Sequence, residues 1–224
     1  MRKFIVRLIN IVFGLFLYAL GDVITLKASI GYSPWDVFHA GLSKITGLSI
    51  GTMSIGVGLV IILIVLVLGE KIGMGTVLNM ILIGSFMDLL LKLDFLPKDG
   101  NLPVRIIMLV TGLFIIAVGS YFYIKSGFGA GPRDSLMVSL TRKTKFPIGV
   151  CRSAIELSVT ALGWFLGGMV GIGTVISIIG IGFCIQIVFH ILKFDPKEVK
   201  HETFAETINN LKTGFVQAEE LNDR

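Results

Sequence analysis

Charged residues are scarce in this sequence, and their scarcity excludes most soluble folds. Only 16% of the 224 residues are charged and 54% are hydrophobic, with a mean hydropathy of +0.86, whereas soluble domains carry about 25% charged residues. Most of the charge lies at the two ends and in short loops, which leaves apolar windows of about 20 residues. A helix of that length crosses the roughly 30 Å hydrocarbon core of a bilayer. The composition predicts a polytopic integral membrane protein whose main partner is the lipid bilayer.

Catalytic and metal-binding patterns are also missing. The sequence has no His-x-x-x-His pair, no Gly-x-Ser-x-Gly motif and no phosphate-binding loop, and its histidines (His39, His190 and His201) are scattered. Cys151 and Cys184 lie in apolar segments without disulfide or metal-ligand spacing, so we interpret them as buried thiols. We expect no enzyme activity, no metal and no cofactor. The net charge of +5 fits basic cytoplasmic loops better than a nucleic-acid partner.

An internal duplication is the most informative feature that the sequence does contain. Residues 7–92 align with residues 105–190 at a constant offset of 98 without gaps, and 26 of the 86 positions are identical. Eight of these identities are glycines. Because glycine is placed where backbones approach closely or φ is positive, repeated glycines indicate a repeated backbone. We predict a first membrane repeat over residues 1–98 and a second over residues 99–194.

Each repeat is predicted to be all-α, with three spans and one short helix. The predicted spans are residues 8–26, 50–68 and 76–91 in the first repeat, and 106–124, 148–166 and 174–192 in the second. The short helices, at 34–47 and 132–145, would cover only about 20 Å each, so we expect them to be re-entrant or interfacial. An odd number of spans inverts the second repeat relative to the first, as in many secondary transporters.

An alternative lets the short helices cross the membrane as well, which gives four spans per repeat and parallel repeats. Both arrangements place the amino and carboxy termini in the cytoplasm and satisfy the positive-inside rule. Helix length favours the inverted arrangement.

The Pro-x-Asp turns before the short helices form the predicted substrate site. They consist of Ser33, Pro34, Trp35 and Asp36 in the first repeat, and of Gly131, Pro132, Arg133 and Asp134 in the second. Ser or Gly followed by Pro is typical of a helix start, and an acidic residue in the first turn suits the helix dipole. Two helix starts at membrane depth would present free N–H groups to a small anionic or polar solute, and Arg133 adds a cation. The alternative is that both turns are structural helix starts with capping aspartates.

Ionisable residues inside spans are further candidates, because they are costly in lipid. Arg152 and Glu156 stand four apart, so they share a helix face and are predicted to form an intramembrane charge pair. The pair is either a structural salt bridge or a gate or ion relay. Asp22 and Asp88 lie near the ends of spans, where we expect them to reach the membrane interface.

Residues 195–224 are predicted to form a cytoplasmic amphipathic tail. Phe204, Ile208, Leu211 and Phe215 recur at helical spacing and so share one face. That face would rest on the bundle or the lipid headgroups, or dock a cytoplasmic protein partner.

The repeated motifs also resemble a known family. GYSPWD at residues 31–36, GMGT at residues 73–76 and GAGPRD at residues 129–134 are similar to motifs of the YczE/YyaS/YitT family of bacterial integral membrane proteins. The resemblance covers residues 7–192 and implies a location in the bacterial cytoplasmic membrane, but no mechanism.

Three functional hypotheses follow from these features. The leading one is a transporter or permease built around both Pro-x-Asp turns. The alternative is a non-transporting scaffold or regulator that docks a partner, and a membrane-embedded enzyme ranks third.

Overall fold

The computed structural model describes residues 2–94 and 100–210, and this part of the chain contains helices and no strands. The helices are, in order, α1 (Arg2–Ala28), α2 (Pro34–Thr46), α3 (Ile50–Val67), α4 (Met74–Leu93), α5 (Leu102–Lys125), α6 (Pro132–Thr144), α7 (Ile148–Phe165) and α8 (Ile172–Ile191). A 3-10 turn at Pro196–Glu198 follows, and residues 204–210 are again helical.

In the described part, six helices are long and apolar enough to cross a membrane, namely α1, α3, α4, α5, α7 and α8. Their outer surfaces expose large apolar side chains such as Val67 (87%) and Phe165 (79%), which suit hydrocarbon rather than water. The prediction of a polytopic all-α bundle is confirmed. Helices α2 and α6 have 13 residues each and reach only about 20 Å.

The observed helices begin and end within a few residues of the predicted bounds, except that α1 begins at Arg2 rather than at residue 8. The helix continues through Arg7 because that guanidinium finds partners inside the protein. It donates to the Ser126 carbonyl at 2.7 Å and to Glu202 at 2.8 Å, and it lies 4.4 Å from the ring centroid of Phe128. The sequence pattern did not reveal these partners, because Ser126 and Glu202 lie 119 and 195 residues away along the chain.

The helix pattern recurs at the same spacing of 98 residues that relates the two halves of the sequence. Helices α2 and α6, α3 and α7, and α4 and α8 each begin 98 residues apart and have equal lengths within a pair. Each short helix packs against a long helix of the opposite half, α2 against α7 and α6 against α3. The two halves are therefore interlocked.

Helices α1 and α5 cross closely at the centre of the bundle and make its most extensive helix contact. A Cβ atom at Gly14 would lie 2.8 Å from the carbonyl oxygen of Gly119, and one at Gly21 would lie 2.6 Å from that of Gly112. The order of these contacts shows that the two helices run antiparallel. Glycine is needed at all four positions because the backbones touch.

Ion pairs mark the two ends of the bundle. At one end, which we call the Lys27 end, Lys27 pairs with Asp94. At the other, the Arg7 end, Arg7 pairs with Glu202 at 2.8 Å. Helix α1 runs from the Arg7 end to the Lys27 end, and the antiparallel α5 runs from the Lys27 end to the Arg7 end.

A glycine-containing loop follows each central helix and re-enters the bundle. Gly31 and Gly129 stand at matching positions with φ of 117° and 116°, a region that favours glycine. Next to them, the Ile30 carbonyl accepts from the Gly173 N–H at 2.8 Å, and the Phe128 carbonyl accepts from the Gly75 N–H at 2.7 Å. Each loop thus binds the start of the last helix of the opposite half, α8 or α4, and this fixes where the short helices begin.

A segment at residues 199–207 lies across the Arg7 end. The Glu202 N–H donates to the Gly127 carbonyl at 2.9 Å and the Phe204 N–H to the Ile72 carbonyl at 3.0 Å. Thr207 is buried, whereas Phe204 and Ile208 are 45% and 40% exposed, so this part of the predicted apolar face does not rest on the bundle. The remaining predicted face residues, Leu211 and Phe215, lie outside the described residues.

The α1–α5 crossing gives a first prediction. Gly21→Ala places a methyl group 2.6 Å from the Gly112 carbonyl oxygen, so we expect it to lower the free energy of unfolding by ~1–3 kcal/mol. The matched control is Gly56→Ala, because an added Cβ at Gly56 meets nothing within 4 Å, and alanine in a helix is favoured over glycine by about 1 kcal/mol. Thermal unfolding in detergent measures both; equal Tm values would contradict the close crossing.

Candidate functional site between the two halves

The side chains of Trp35 and Arg133 meet at the centre of the molecule. The guanidinium carbon of Arg133 lies 4.9 Å from the Trp35 ring centroid, which is within the range of a cation–π contact. Positions 35 and 133 correspond at the offset of 98. The contact therefore joins equivalent positions of the two halves and brings the two Pro-x-Asp turns together.

In the first Pro-x-Asp turn, the Asp36 carboxylate is hydrogen-bonded by Ser33 of the same turn. Ser33 has an extended backbone (φ −61°, ψ 156°) before Pro34, which is the first residue of α2. The Ser33 hydroxyl does not cap the helix but donates to Asp36 Oδ2 at 2.6 Å. Trp35, Asp36 and Pro34 are all buried, so this turn forms an interior wall.

The backbone just before the second Pro-x-Asp turn is hydrogen-bonded instead by side chains of two neighbouring helices, α5 and α4. The Tyr123 hydroxyl of α5 donates to the Gly129 carbonyl at 3.2 Å, and the Thr76 hydroxyl of α4 donates to the Ala130 carbonyl at 2.6 Å. Gly131 has no side chain with which to bind Asp134. The Asp134 side chain is exposed and lines a cavity.

That cavity has a volume of about 680 Å³ and lies between the two halves. The polar side chains on its wall are those of Tyr18, His39, Ser54, Asn79, Ser120, Tyr123, Arg133, Asp134, Arg152 and His201. A smaller recess of about 90 Å³ continues it toward Trp35 and Glu156. On the other side of Trp35 lies an apolar groove of about 900 Å³ between α3 and α7, whose lining suits lipid hydrocarbon.

The second predicted group, Arg152 and Glu156, lies on the wall of this recess. Arg152 Nε donates to Glu156 Oε1 at 2.8 Å, with side-chain exposures of 46% and 17%. Their counterparts in the first half, Ser54 and Gly58, line the same cavity. Arg152 also interacts electrostatically with Asp134. Among the described residues no ion pair involves Arg133, so two guanidinium groups face a common space with one of them stacked on an aromatic ring.

Asp22 was expected at the membrane interface, and this prediction is wrong. Asp22 is only 4% exposed and interacts electrostatically with Asp36 and Arg133. His39 is 1% exposed and its Nδ1 lies 3.6 Å from Asp36 Oδ1. The loop after α1 folds back to the depth of Asp22, which a hydropathy profile does not show. The sequence held one signal, since the counterpart of Asp22 is Ser120, so this position is polar in both halves.

Asp88 is half-buried near the end of α4, and its position at the membrane interface stays a prediction. Its carboxylate accepts from the Gly51 N–H at 2.9 Å and from the hydroxyls of Ser49 and Thr52 at the start of α3. A Cβ at Gly51 would lie 2.0 Å from the Gly84 carbonyl oxygen. We call this contact of α3 with α4, made by Gly51, Gly84, Ser49 and Asp88, the latch; it closes the Lys27 end.

The equivalent helices of the second half, α7 and α8, stand apart. The counterparts of Gly51 and Gly84 are Gly149 and Gly182, and an added Cβ at either would meet nothing within 4 Å. Ile148, Ile181, Ile185 and His201 line the cavity where the two helices separate. The cavity therefore extends toward the Arg7 end.

The segment across the Arg7 end carries two titratable groups near the mouth of this cavity. Partial burial lowers the pKa of His201, and the nearby carboxylate of Asp134 opposes that shift. Hydrogen bonds from the N–H and hydroxyl of Thr203, at 2.7 and 2.9 Å, lower the pKa of Glu206. His201 thus favours its neutral form at the mouth.

The structure also describes the two cysteines and the side chains that could bind a metal ion. Cys151 and Cys184 are free and buried. The described residues contain no group of three His, Cys, Asp or Glu side chains able to hold a metal ion.

Comparison with known proteins agrees with the resemblance noted from the motifs. The chain is 34% identical over 182 residues to an uncharacterized protein of Haemophilus influenzae, covering 81% of this chain and 83% of that protein. It is 35% identical over 175 residues to the uncharacterized membrane protein YczE of Bacillus subtilis (77% and 80%) and 27% identical over 171 residues to YyaS of the same organism (74% and 83%).

No solved structure matches the chain. A family model described as a family of unknown function, DUF6198, matches residues 5–190, which span all six membrane-length helices and both Pro-x-Asp turns. The chain is therefore a multi-pass membrane protein that belongs to the DUF6198 family.

Proposed function

We propose that this protein is a secondary transporter, not an enzyme, and that it carries a small polar or anionic solute through the cavity between its two halves. The contact between Trp35 and Arg133 is the observation that carries this proposal. It places a guanidinium group, a nearby carboxylate and an aromatic wall where the two halves meet. Discontinuous helices that meet at the middle of a membrane are the usual place for substrate in transporters built from repeats.

An inverted duplication supports this reading. Three observations support two repeats related by a two-fold axis in the membrane plane: the identities at the offset of 98, the recurring helix lengths and the antiparallel crossing of α1 with α5. The axis would pass between Trp35 and Arg133. The distribution of Lys and Arg would place the Arg7 end at the cytoplasmic face of the bacterial cytoplasmic membrane.

Helices α3 and α4 are in close contact, whereas α7 and α8 stand apart, and this difference supports a mechanism of alternating access. At the Lys27 end the latch joins α3 to α4, whereas at the Arg7 end α7 and α8 leave a gap beside Gly149 and Gly182. Exchange of these two arrangements would close the cavity at the Arg7 end and open it at the Lys27 end. The substrate would meet the same central site from either side.

The cavity wall indicates the class of solute. Arg133 and Arg152 provide planar donor groups that match the oxygens of a carboxylate, phosphate or sulfate. The volume of about 680 Å³ lies within the range of small-molecule sites, ~300–1,000 Å³. A small oxyanion, alone or as part of a polar metabolite, fits these walls.

Binding can be followed through Trp35. The sequence has two tryptophans, so Trp164→Phe leaves Trp35 as the reporter. In that background we expect one or more members of a panel of small carboxylates, phosphate and sulfate to change Trp35 emission. Arg133→Gln should abolish the response. Arg142→Gln is the matched control, because Arg142 pairs with Glu70 at the surface.

Transport of the same small carboxylates, phosphate and sulfate is the second measurement. Any solute that binds should exchange across proteoliposomes, and Arg133→Gln and Asp134→Asn should abolish exchange while Arg142→Gln retains it. Exchange that is unchanged in Arg133→Gln would exclude the assigned site.

The gap beside Gly182 gives a further prediction. An added Cβ at Gly182 meets nothing within 4 Å in the present arrangement, so we expect Gly182→Leu to keep the wild-type Tm. The leucine would clash when α7 closes on α8, at a cost of ~1–3 kcal/mol, which lowers the closed population by roughly 5- to 150-fold. We therefore expect solute exchange to fall by a similar factor, whereas Gly56→Leu, at another open helical glycine, should leave exchange unchanged. Normal exchange in Gly182→Leu would contradict closure at this position.

The second candidate function is a scaffold that docks a cytoplasmic partner through its tail. The exposure of Phe204 and Ile208 at the Arg7 end favours it. The double variant Phe204→Ala/Ile208→Ala separates the two functions, because it removes the exposed apolar side chains while keeping the backbone hydrogen bonds of residues 202–204 with the bundle. A transporter should retain flux in this variant, and a scaffold should lose its partner.

A further inference from the structure

Asp22, Asp36 and His39 form a buried polar cluster, which we call the acid–histidine cluster. Their exposed fractions are 4%, 1% and 1%. Asp22 Oδ2, Asp36 Oδ1 and both ring nitrogens of His39 lack a hydrogen-bond partner within the described structure. Buried polar atoms are normally hydrogen-bonded. Four such atoms in one place indicate that the cluster binds something that the protein itself does not provide.

The charges around the cluster come from three helices and one loop. Tyr18 of α1 and Tyr32 of the loop before α2 interact with Asp36, and Arg133 of α6 interacts with Asp22 and His39. Asp134 of α6 interacts with Tyr18. Arg133 is thus the one cation described as acting on both Asp22 and His39, and it is stacked on Trp35.

Two neighbouring carboxylates in a nonpolar interior do not both stay ionised unless each is compensated. Arg133 can balance one negative charge. The second carboxylate must bind a proton or another cation. A proton needs only one of these oxygen atoms, whereas a metal ion needs several ligands, and the described residues contain no group of three His, Cys, Asp or Glu side chains able to hold one.

We propose that the acid–histidine cluster is a proton-binding site that couples solute movement to a proton gradient, an inference that rests on the proposed transport function. His39 is the member of the cluster that lines the cavity. A proton from the cavity binds Nε2 of the neutral imidazole of His39, which carries its own proton on Nδ1. The Nδ1 proton then passes to the ionised Asp36 at Oδ1, 3.6 Å away, which leaves a neutral imidazole protonated on Nε2 and a neutral carboxylic acid.

Trp35 connects the proton site to the solute site. Its ring lies 4.9 Å from the Arg133 guanidinium carbon and 6.4 Å from the His39 ring centroid. Neutralising Asp36 or Asp22 removes a negative charge that attracts Arg133. The guanidinium then becomes available to an oxyanion in the cavity. Proton binding would therefore raise the affinity for an anionic solute, which is the coupling expected of a symporter.

Infrared difference spectroscopy tests the proton site without a known solute. Purified wild-type protein in lipid nanodiscs is compared between mildly acidic and mildly alkaline buffer. We expect the C=O stretch of a buried protonated carboxyl group to respond to this change. Asp22→Asn and Asp36→Asn, which resemble the protonated form and should fold, are each expected to remove or shift this band.

Two control variants define the specificity of the band. Glu198→Gln removes an exposed carboxylate. Asp88→Asn removes one that is hydrogen-bonded in the latch, outside the acid–histidine cluster. Both should retain the band. His39→Gln should also retain it but slow its appearance after a pH jump, because the pathway from the cavity is lost.

The outcomes separate the proton site from the transport function. A band that survives in both Asp22→Asn and Asp36→Asn, or no band in the wild type, would overturn the proton site even if solute exchange is observed. A band removed by these variants supports it even if no solute of the panel is carried. Where a solute is carried, a pH gradient should drive its accumulation in the wild type and not in Asp36→Asn; accumulation in both would overturn the coupling.

Discussion

The rest of the structure depends on the close antiparallel crossing of α1 and α5. Four glycines let the two backbones touch, so the helices leave the crossing toward opposite ends of the bundle. The loop after each helix then re-enters from its own end and is held by the first turn of α8 or α4. The starts of α2 and α6 consequently reach the centre from opposite sides, which is why Trp35 contacts Arg133. The polar groups at the starts of α2 and α6 are thus brought together inside the apolar bundle by the glycine contacts between α1 and α5.

The two halves share a backbone pattern but differ in how firmly their outer helices close. In the first half, the Asp88 carboxylate satisfies donors at the start of α3, and Gly51 approaches Gly84. At the corresponding positions of the second half, Pro147 stands for Ser49 and Gln186 for Asp88. Proline provides neither a hydroxyl nor an N–H for such a bond, so the second pair lacks the chemistry of the latch. A weaker contact between α7 and α8 follows from these two substitutions and explains which end carries the gap.

Features that depend on local pattern or on the repeat were predictable from the sequence. The helices, the two short elements and the meeting of the Pro-x-Asp turns follow from apolar periodicity, from Pro and Gly positions and from the offset of 98 residues. Asp22 was misjudged because hydropathy reports how near a residue is to the end of a span, whereas its surroundings are set by distant segments. Asp36 of α2 and Arg133 of α6 interact electrostatically with Asp22, and no local pattern shows this. The hydrogen bonds of Asp88 to the start of α3 were likewise not apparent from the sequence. Arg7 was likewise placed by its distant partner Glu202.

The two halves carry different side chains at positions 35/133 and 39/137, and both differences affect how the central charges are balanced. If Arg133 formed a close bidentate pair with Asp36, both charges would be satisfied and neither would respond to a proton or a solute. Stacking on Trp35 keeps the guanidinium beside the carboxylates without satisfying them. His39, whose counterpart is Met137, adds a titratable group on one side only. Divergence at 35/133 and 39/137 thus gives the first half an indole and an imidazole where the second half has a guanidinium and a thioether. On the proposed transport function, a guanidinium that stacks on Trp35 instead of pairing with a carboxylate stays available to a solute.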